Sequence, residues 1–259
     1  MSRKIYIEPG HGGRDPGAVG NGMRESDIVL DIALLLEPLL QAQGLEVMLA
    51  RRTDTDLVRR FERPNEWGAD LMVSLHVNAG GFVNPTQNQR ERGIGFETII
   101  PTASPNNPRR NLADSRRLAE IASNKMGRHF NFPVRRANGV MLETETRHPF
   151  IGVLRNTMMT AVLPELGFID SPNPNEIDML RNRRPESAQV LADSIFEFFG
   201  IVPIEEVEEV RYKTIQELPE WARPTIQKLL ERKILRELDL SLDMVRIFVV
   251  HDMAGVYDR

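Results

Sequence analysis

The 259-residue chain contains no cysteine. That removes disulfides, thiolate nucleophiles and cysteine-type zinc sites together, so any metal has to sit on histidine and carboxylate. Histidine is itself scarce: His11, His76, His129, His148 and His251 are the whole set. No apolar run approaches the roughly 18 residues that cross a bilayer. The opening MSRKIYIEPG offers only the apolar stretch IYI, where a signal peptide needs about 7–15 apolar residues. The expectation is a chain with no membrane span and no secretion signal. Neither sign of charge dominates, with 33 Lys+Arg against 37 Asp+Glu and a net charge of -4. Non-specific nucleic-acid binding, which draws on counterion release at a basic face, is therefore not expected. What is present, 41% hydrophobic and 27% charged residues, describes an ordinary globular protein and excludes disorder, collagen and coiled coil.

Gly200, after the helical run EFF, is followed by IVP and the acidic EEVEEV, a helix stop and then a linker. Residues 1–200 hold 24 Lys+Arg and 25 Asp+Glu, and residues 201–259 hold 9 and 12, so the acid excess belongs to the tail. The reading is a domain over 1–200, an acidic linker over 201–211 and a small helical module over 212–259. In the first part, KIYIE, a helical period over Ser26–Gln43, LEVMLAR, a polar helix around Leu57–Trp67 and DLMVSLHV alternate strand and helix. GFETII, a helix over Leu112–Phe130, a strand at AVLPELGF and helices over Asn175–Asn182 and Glu186–Phe199 follow. This pattern builds an α/β domain, a mostly parallel sheet with helices on its faces. Gly44 fits a glycine after a helix end, and Ser26 or a neighbour fits a cap at the start. Gly80–Arg92 and Ala137–Gly152 lack a clear period and read as long loops, which in such domains are commonly functional.

The run IYIEPGHGGRDPGAVG places His11 directly after a strand, in a turn loosened by glycines. Glu25 stands at the start of the first helix, and His76 at the end of the third strand in SLHVNA. In open parallel sheets, ligands bind at that edge, where strand order reverses. Two imidazoles and a carboxylate form a three-ligand set of the kind that leaves a fourth position open in catalytic zinc sites. Taken singly, each has a plainer reading: a surface histidine, a strand-end histidine, and a first-turn acid favoured by the helix dipole. GHGG is not a phosphate cradle of the GxGxxG or GK[ST] kind.

Together, EPGHGGRDPGAVGNGMRESDIVLDIALLLEPLL, EVMLARRTD, RRFERPNEWGADLMVSLHVNAG, GFETII, VLRNT and AVLPELGFIDSPNPNEIDML resemble the zinc-dependent N-acetylmuramoyl-L-alanine amidases of amidase type 3, over essentially residues 3–200. The resemblance implies a six-stranded, mostly parallel sheet flanked by helices. It implies one zinc ion per chain on His11, Glu25 and His76, with Glu165 as the catalytic glutamate. It further implies hydrolysis of the bond between N-acetylmuramic acid and L-alanine in peptidoglycan, and so cell-wall lysis. An acid at Glu165, inside the apolar AVLPELGF, is costly to bury unless something pairs with it. Glu97 in GFETII and Arg155 in VLRNT, which reads as a strand, are candidates for supporting the metal or the substrate. So is Asn78, on the same side of a strand as His76. Relatives commonly carry aspartate where this chain has Glu8, so a contact from that carboxylate to a ligand histidine would shift. His129, His148 and His251 match no motif and read as surface residues.

In the tail, Pro219–Leu230 puts Trp221, Ile226, Leu229 and Leu230 at helical spacing, and SLDMVRIFVVHDM opens a second helix with Ser241 as its capping candidate. The segment is similar to short helical modules appended to wall amidases, which implies wall targeting or dimer formation; a stabilising helical cap is the alternative. An amidase without an export signal fits an endolysin held in the cytoplasm until it is released, or an autolysin whose leader was trimmed. The alternatives to the amidase activity are a zinc peptidase acting on another amide and a wall-binding protein without catalysis.

Overall fold

The computed structural model describes residues 2–55, 59–80, 93–103, 112–147, 149–203, 211–253 and 256–257. The chain divides into two compact units, residues 1–203 and 204–259. The first runs β1 (Lys4–Pro9), β2 (Val19–Gly20), β3 (Met23–Arg24), α1 (Glu25–Ala42), β4 (Glu46–Leu49), α2 (Glu62–Trp67), β5 (Leu71–Asn78) and β6 (Glu97–Ile100). It continues with α3 (Leu112–Phe130), β7 (Val140–Leu142), α4 (Gly152–Arg155), β8 (Thr160–Phe168), α5 (Pro174–Asn182) and α6 (Arg184–Phe199). Six strands form one sheet in the order β4-β1-β5-β8-β6-β7. β4, β1, β5 and β8 are parallel, while β6 runs antiparallel to β8 and carries β7 parallel to itself. The mostly parallel six-stranded sheet read from the sequence is the one found.

The order places the site. From β1 the chain crosses through α1 to the edge strand β4, then returns past β1 to β5 on its other side. The carboxyl ends of β1 and β5 therefore feed loops that part in opposite directions, and a crevice opens between them. Strand alternation then sets which side chains meet there. Ile5, Ile7, Leu71, Val73, Leu75 and Val162 face one side, under Ile28, Ile32, Leu36 and Leu40 of α1 and the inner faces of α3 and α6. The one-turn spacing of those α1 residues explains why the sequence forms a helix here, and each buried Leu or Ile contributes about 1.5–3 kcal/mol. Tyr6, Met72, Ile99, Ala161 and Leu163 face the other side, packed with Val153 and Leu154 of α4. Along these same rows, toward the carboxyl edge, the residues turn polar: Glu8 on β1; Ser74, His76 and Asn78 on β5; Glu165 on β8; Glu97 at the start of β6.

Several local expectations are corrected. α1 begins at Glu25, and Ser26 does not cap it. Residue 24 occupies the cap position without a side-chain bond, because carbonyls of the preceding hairpin accept the first amides: Glu25 N–H donates to Ala18 at 2.9 Å and Ser26 N–H to Pro16 at 3.1 Å. The helix expected over Leu57–Trp67 is confined to Glu62–Trp67, with residues 56–58 outside the described residues. Ala137–Gly152 is not simply a loop. It holds the edge strand β7, three residues long and flanked by single 3-10 turns, too short to show a period. VLRNT is not a strand either, since Gly152–Arg155 makes one helical turn. The Gly80–Arg92 loop lies outside the described residues from 81 onward. α3 matches its expected span, Asn173 caps α5 by accepting from Asn175 N–H at 3.0 Å, and Gly44 and Gly200 take left-handed conformations after helix ends.

The second unit contains β9 (Arg211–Tyr212), α7 (Arg223–Glu231), β10 (Leu240–Ser241) and α8 (Leu242–Met253). Beside the two helices of the small helical module expected from the sequence, β9 and β10 pair antiparallel. β9 also claims Arg211 from the end of the expected linker, of which 204–210 lie outside the described residues. Leu218, Ala222, Ile226, Leu229, Leu240 and Val245 form the core. Trp221 does not join it and is 52% exposed, because it lies in the turn before α7, where Leu218 and Ala222 take the inward positions. Ser241 Oγ accepts Met244 N–H at 3.3 Å and so caps α8.

Candidate active site

His11, Glu25 and His76, the last of them 51 positions beyond Glu25, meet between the ends of β1 and β5. His11 sits in the turn after β1 with φ 59°, a left-handed conformation that swings its ring back over the sheet edge. Two glycines make room. A Cβ on Gly10 would lie 2.5 Å from the His76 ring, and one on Gly17 2.6 Å from both Glu25 Oε2 and the His11 ring. Glu25 Oε1 lies 2.9 Å from His76 Nδ1 and 3.2 Å from His11 Nε2. Val77 N–H donates to the same oxygen at 2.9 Å, and Ala18 N–H donates to Oε2 at 2.8 Å. One ligand atom from each of the three residues lies within 4.8 Å of the others. Those separations suit metal bonds of about 2.0–2.2 Å to nitrogen and oxygen. The two rings pack edge to face with centroids 4.9 Å apart.

The electrostatics fit a cation site as well. Burial alone would raise the Glu25 carboxyl, but hydrogen bonds and charge from His11 and His76 hold it far below the usual range. Burial would lower His76, yet the Glu25 hydrogen bond and charge carry it up to about 9. His11 moves upward for the same reasons. A carboxylate that pulls this strongly on two imidazole protons exerts the pull a divalent cation would satisfy, releasing those protons.

Asp15 was not singled out from the sequence, and it completes this group. Its Oδ2 lies 2.9 Å from His11 Nδ1, which fixes the ring with Nε2 toward Glu25, the usual support for a metal-binding histidine. Gly17 N–H holds Asp15 Oδ1 at 3.1 Å. An acid four residues after a histidine in a glycine-rich turn was the available signal. Arg51, also overlooked, is buried and donates to the carbonyls of Pro9 (3.2 Å), Gly10 (3.0 Å) and Ser26 (2.8 Å). It ties the end of β1 to the start of α1, and so holds His11 and Glu25 at their separation.

Glu165 lies one strand over. It pairs in register with His76 on β5 and with Glu97 on β6. Its Oε2 is buried and makes no hydrogen bond among the described residues. Burial raises its carboxyl, His76 pulls it back, and the nearby Glu25 and Glu97 push it up again, to about 8. Glu97 is 3% exposed and accepts from Asn78 Nδ2 at 2.9 Å; its other oxygen faces Arg136 Nε at 3.3 Å and Arg135 Nε at 3.4 Å. Asn78 thus faces the His76 side of the strand and braces Glu97. Glu8 makes no hydrogen bond to His11 or His76, though its charge helps to raise His76: it is buried with Ser74 Oγ bonded to Oε2 and Arg60 3.6 Å from Oε1. Arg155 stands on α4 over the ring of Phe150 at 4.5 Å, outside the lining of the cleft. His129 pairs with Glu186 at 2.9 Å, His251 lies in the second unit near Tyr257, and His148 is outside the described residues.

These groups open into a cleft of about 1720 Å³ lined by His11, Glu25, His76, Asn78, Glu97 and Glu165 beside the apolar Ile99, Met141, Ile151, Val153 and Leu163. A converged donor set, an unpartnered buried carboxylate and a cleft of this size are what metal-assisted hydrolysis of a bulky substrate needs. No helix among the described residues is long and apolar enough to cross a membrane.

The family model described as N-acetylmuramoyl-L-alanine amidase matches residues 5–197. The sporulation-specific N-acetylmuramoyl-L-alanine amidase of Bacillus subtilis (strain 168) is 34% identical over 174 residues, covering 65% of this chain and 57% of its own length. The endolysin of Bacillus phage SPP1 is 32% identical over 186 residues, covering 70% of this chain and 59% of its own. The alignments thus span little more than half of these relatives. Among solved structures, the catalytic domain of CwlV, an N-acetylmuramoyl-L-alanine amidase from Bacillus (Paenibacillus) polymyxa var. colistinus, aligns with a TM-score of 0.61 and 26% identity. It covers 77% of this chain and 99% of that one.

Proposed function

Because the chain belongs to the N-acetylmuramoyl-L-alanine amidase family, we propose that its cleft hydrolyses the amide between the lactyl group of N-acetylmuramic acid and the first L-alanine of the peptidoglycan stem. Zinc would be held by His11, Glu25 and His76. The observation that carries this reading is the pairing of two features: a two-histidine, one-carboxylate set with its donor atoms within 4.8 Å, and the buried, unpartnered Oε2 of Glu165 on the adjoining strand.

Bound there, zinc would supply Lewis acidity to the scissile carbonyl, a lowered pKa for the attacking water, and a positive charge that favours the ionised form of Glu165. Glu165 takes the proton of the attacking water at its carboxylate and returns it to the departing alanine nitrogen. Asp15 keeps His11 Nδ1 occupied, so that Nε2 stays turned to the site. Asn78 and Glu97 hold each other across β8, which lies between β5 and β6, and keep the floor beside Glu165 fixed. Glu8 anchors Arg60 at the cleft wall.

The test joins composition to chemistry. The protein should bind close to one zinc per chain, and should release new amino groups from intact peptidoglycan without new reducing sugar ends. Glu165→Gln should retain zinc and lose the activity. New reducing ends, activity that survives zinc removal, or an active Glu165→Gln protein would each overturn the proposal.

A further inference from the structure

Among the cleft arginines that the proposed reaction does not use, two are neighbours in sequence. Arg135 and Arg136 precede β7, and both direct Nε at one oxygen of Glu97, at 3.4 and 3.3 Å. The other oxygen already accepts from Asn78 at 2.9 Å. A single carboxylate thus faces two guanidinium groups, with the charge of the buried Glu176 also reaching Arg135. Among the described residues, neither arginine is bonded to a second carboxylate. The terminal nitrogens are little used: Arg136 Nη2 meets only the sulfur of Met141, at 4.0 Å.

The pair is also held in place. The Arg135 guanidinium stacks on the ring of Phe168 at 4.8 Å, and Phe168 is buried at the end of β8. Arg136 has φ 58° and ψ -174°, a backbone region that residues with side chains rarely occupy and that tends to persist near binding sites. Glu97 stands opposite Glu165 in the β6–β8 register, and neighbouring strands lie about 4.8 Å apart. The arginines therefore sit within about two peptide residues of the carboxylate that would move the proton, at about 3.3–3.6 Å per residue. Planar guanidiniums with free terminal nitrogens match a carboxylate bidentately.

Building on the amidase reading, we propose that Arg135 and Arg136 bind a free carboxylate of the stem peptide close to the scissile amide, so that the enzyme selects anionic stems over amidated ones. The experiment uses two soluble muramoyl-peptides that differ only in whether the second stem residue carries a free carboxylate or a carboxamide. The full zinc-loaded chain is compared with Arg135→Gln, Arg136→Gln, the double variant and Arg136→Lys, with zinc content and thermal unfolding recorded for each. The wild type should favour the carboxylate by about ten- to a hundredfold in kcat/KM, the scale of a hydrogen bond to a charged group. That ratio should fall toward one in the double variant, mainly through KM, and Arg136→Lys should restore part of it. Equal treatment of both substrates by the wild type overturns the proposal. So does a double variant that loses activity on both in proportion, because the arginines then only brace Glu97. Binding of both peptides to Glu165→Gln, measured by calorimetry, separates this proposal from the one beneath it. If the wild type cleaves neither peptide, the amidase reading fails, and unequal affinities would still support the arginine pair while equal affinities would remove it.

Discussion

On one face of the sheet, α1 buries Ile28, Ile32, Leu36 and Leu40 against Ile5, Ile7, Val73 and Leu75, and α3 and α6 extend the same continuous apolar core. On the other, among the described residues, the short α4 and the end of α2 contribute the helical cover, and the rows that begin with Tyr6, Met72 and Leu163 lead to Glu8, His76 and Glu165. The same strands serve both faces, so the difference is one of cover rather than of framework. The covered face gains stability from every side chain it buries. The partly covered face gives up some of that gain and keeps groups that would rather be solvated, above all Glu165, whose carboxyl is pushed up to about 8. Stability and chemistry are in this way divided between two sides of one sheet.

The largest effect expected falls on the partly covered face. Glu165→Gln should reduce turnover by about 10²–10⁴-fold, the range for a lost general acid–base group. It should not unfold the protein. The folded-state pKa of Glu165 is raised, so in the metal-free chain its burial costs nothing below the ordinary value of 4.5. The cost grows as pH rises toward about 8 and is fully present above that. Glu165→Gln should therefore match the metal-free wild type in Tm near pH 4 and exceed it at pH 8. A Tm below wild type at pH 8 would show that Glu165 is structural, and the contrast between the faces would fail at its centre.

The converse belongs to the helical face. Leu36 is fully buried in the core under α1, and Leu36→Ala should cost about 2–5 kcal/mol of unfolding free energy by denaturant titration. Zinc stoichiometry and kcat per folded molecule should stay near wild type. A change in kcat larger than the change in folded fraction would show that α1 transmits packing to Glu25 at its own N-terminus, and would blur the division.

Asp15→Ala is smaller and sits between the two. The Asp15 carboxylate touches no part of the cation set except His11, so its removal should weaken zinc binding by about 10–100-fold in a chelator competition while the fold persists. Unchanged affinity would mean that the turn alone orients His11.

What the sequence disclosed follows the same division. The helical face was legible because long elements repeat their pattern: α1 and α3 each run four or more turns with buried residues at 3–4 spacing, and their spans were read to within a residue. The partly covered face was legible only where residue chemistry stood out. His11, Glu25, His76 and Glu165 could be picked out as types of group in a family order, but their convergence depends on the β4-β1-β5-β8 order, which no local pattern carries. β7 and α4 were misread because three or four residues cannot display a period. Asp15, Arg51, Arg135 and Arg136 act through partners distant in sequence or hidden in a turn, so their residue types looked ordinary. Glu8 was expected near a histidine, yet its place on β1 opposite Ser74 aims it at Ser74 and Arg60.

The helical face is not wholly apolar, and a well-formed hydroxyl pair on it offers the finest test of the contrast. Thr98 Oγ1 and Ser123 Oγ lie 2.8 Å apart between β6 and α3, both buried. Ser123 Oγ donates to the Gly139 carbonyl at 3.0 Å, which leaves Thr98 as the donor in the pair. Thr98→Val removes that donor while keeping the branched shape, and Ser123 keeps its own bond to Gly139. The loss is therefore a single neutral hydrogen bond, with no donor stranded, and should amount to about 0.5–1.5 kcal/mol. For a unit of this size that is a fall in Tm of about 1–6 °C, measurable by calorimetry. Thr98 adjoins Glu97 in sequence but points to the opposite face of β6, so turnover and zinc affinity should stay at wild-type values. If Thr98→Val lowered kcat as Glu165→Gln does, the two faces would be coupled through β6, and polar groups on the helical side would have to be counted among those that shape the cleft.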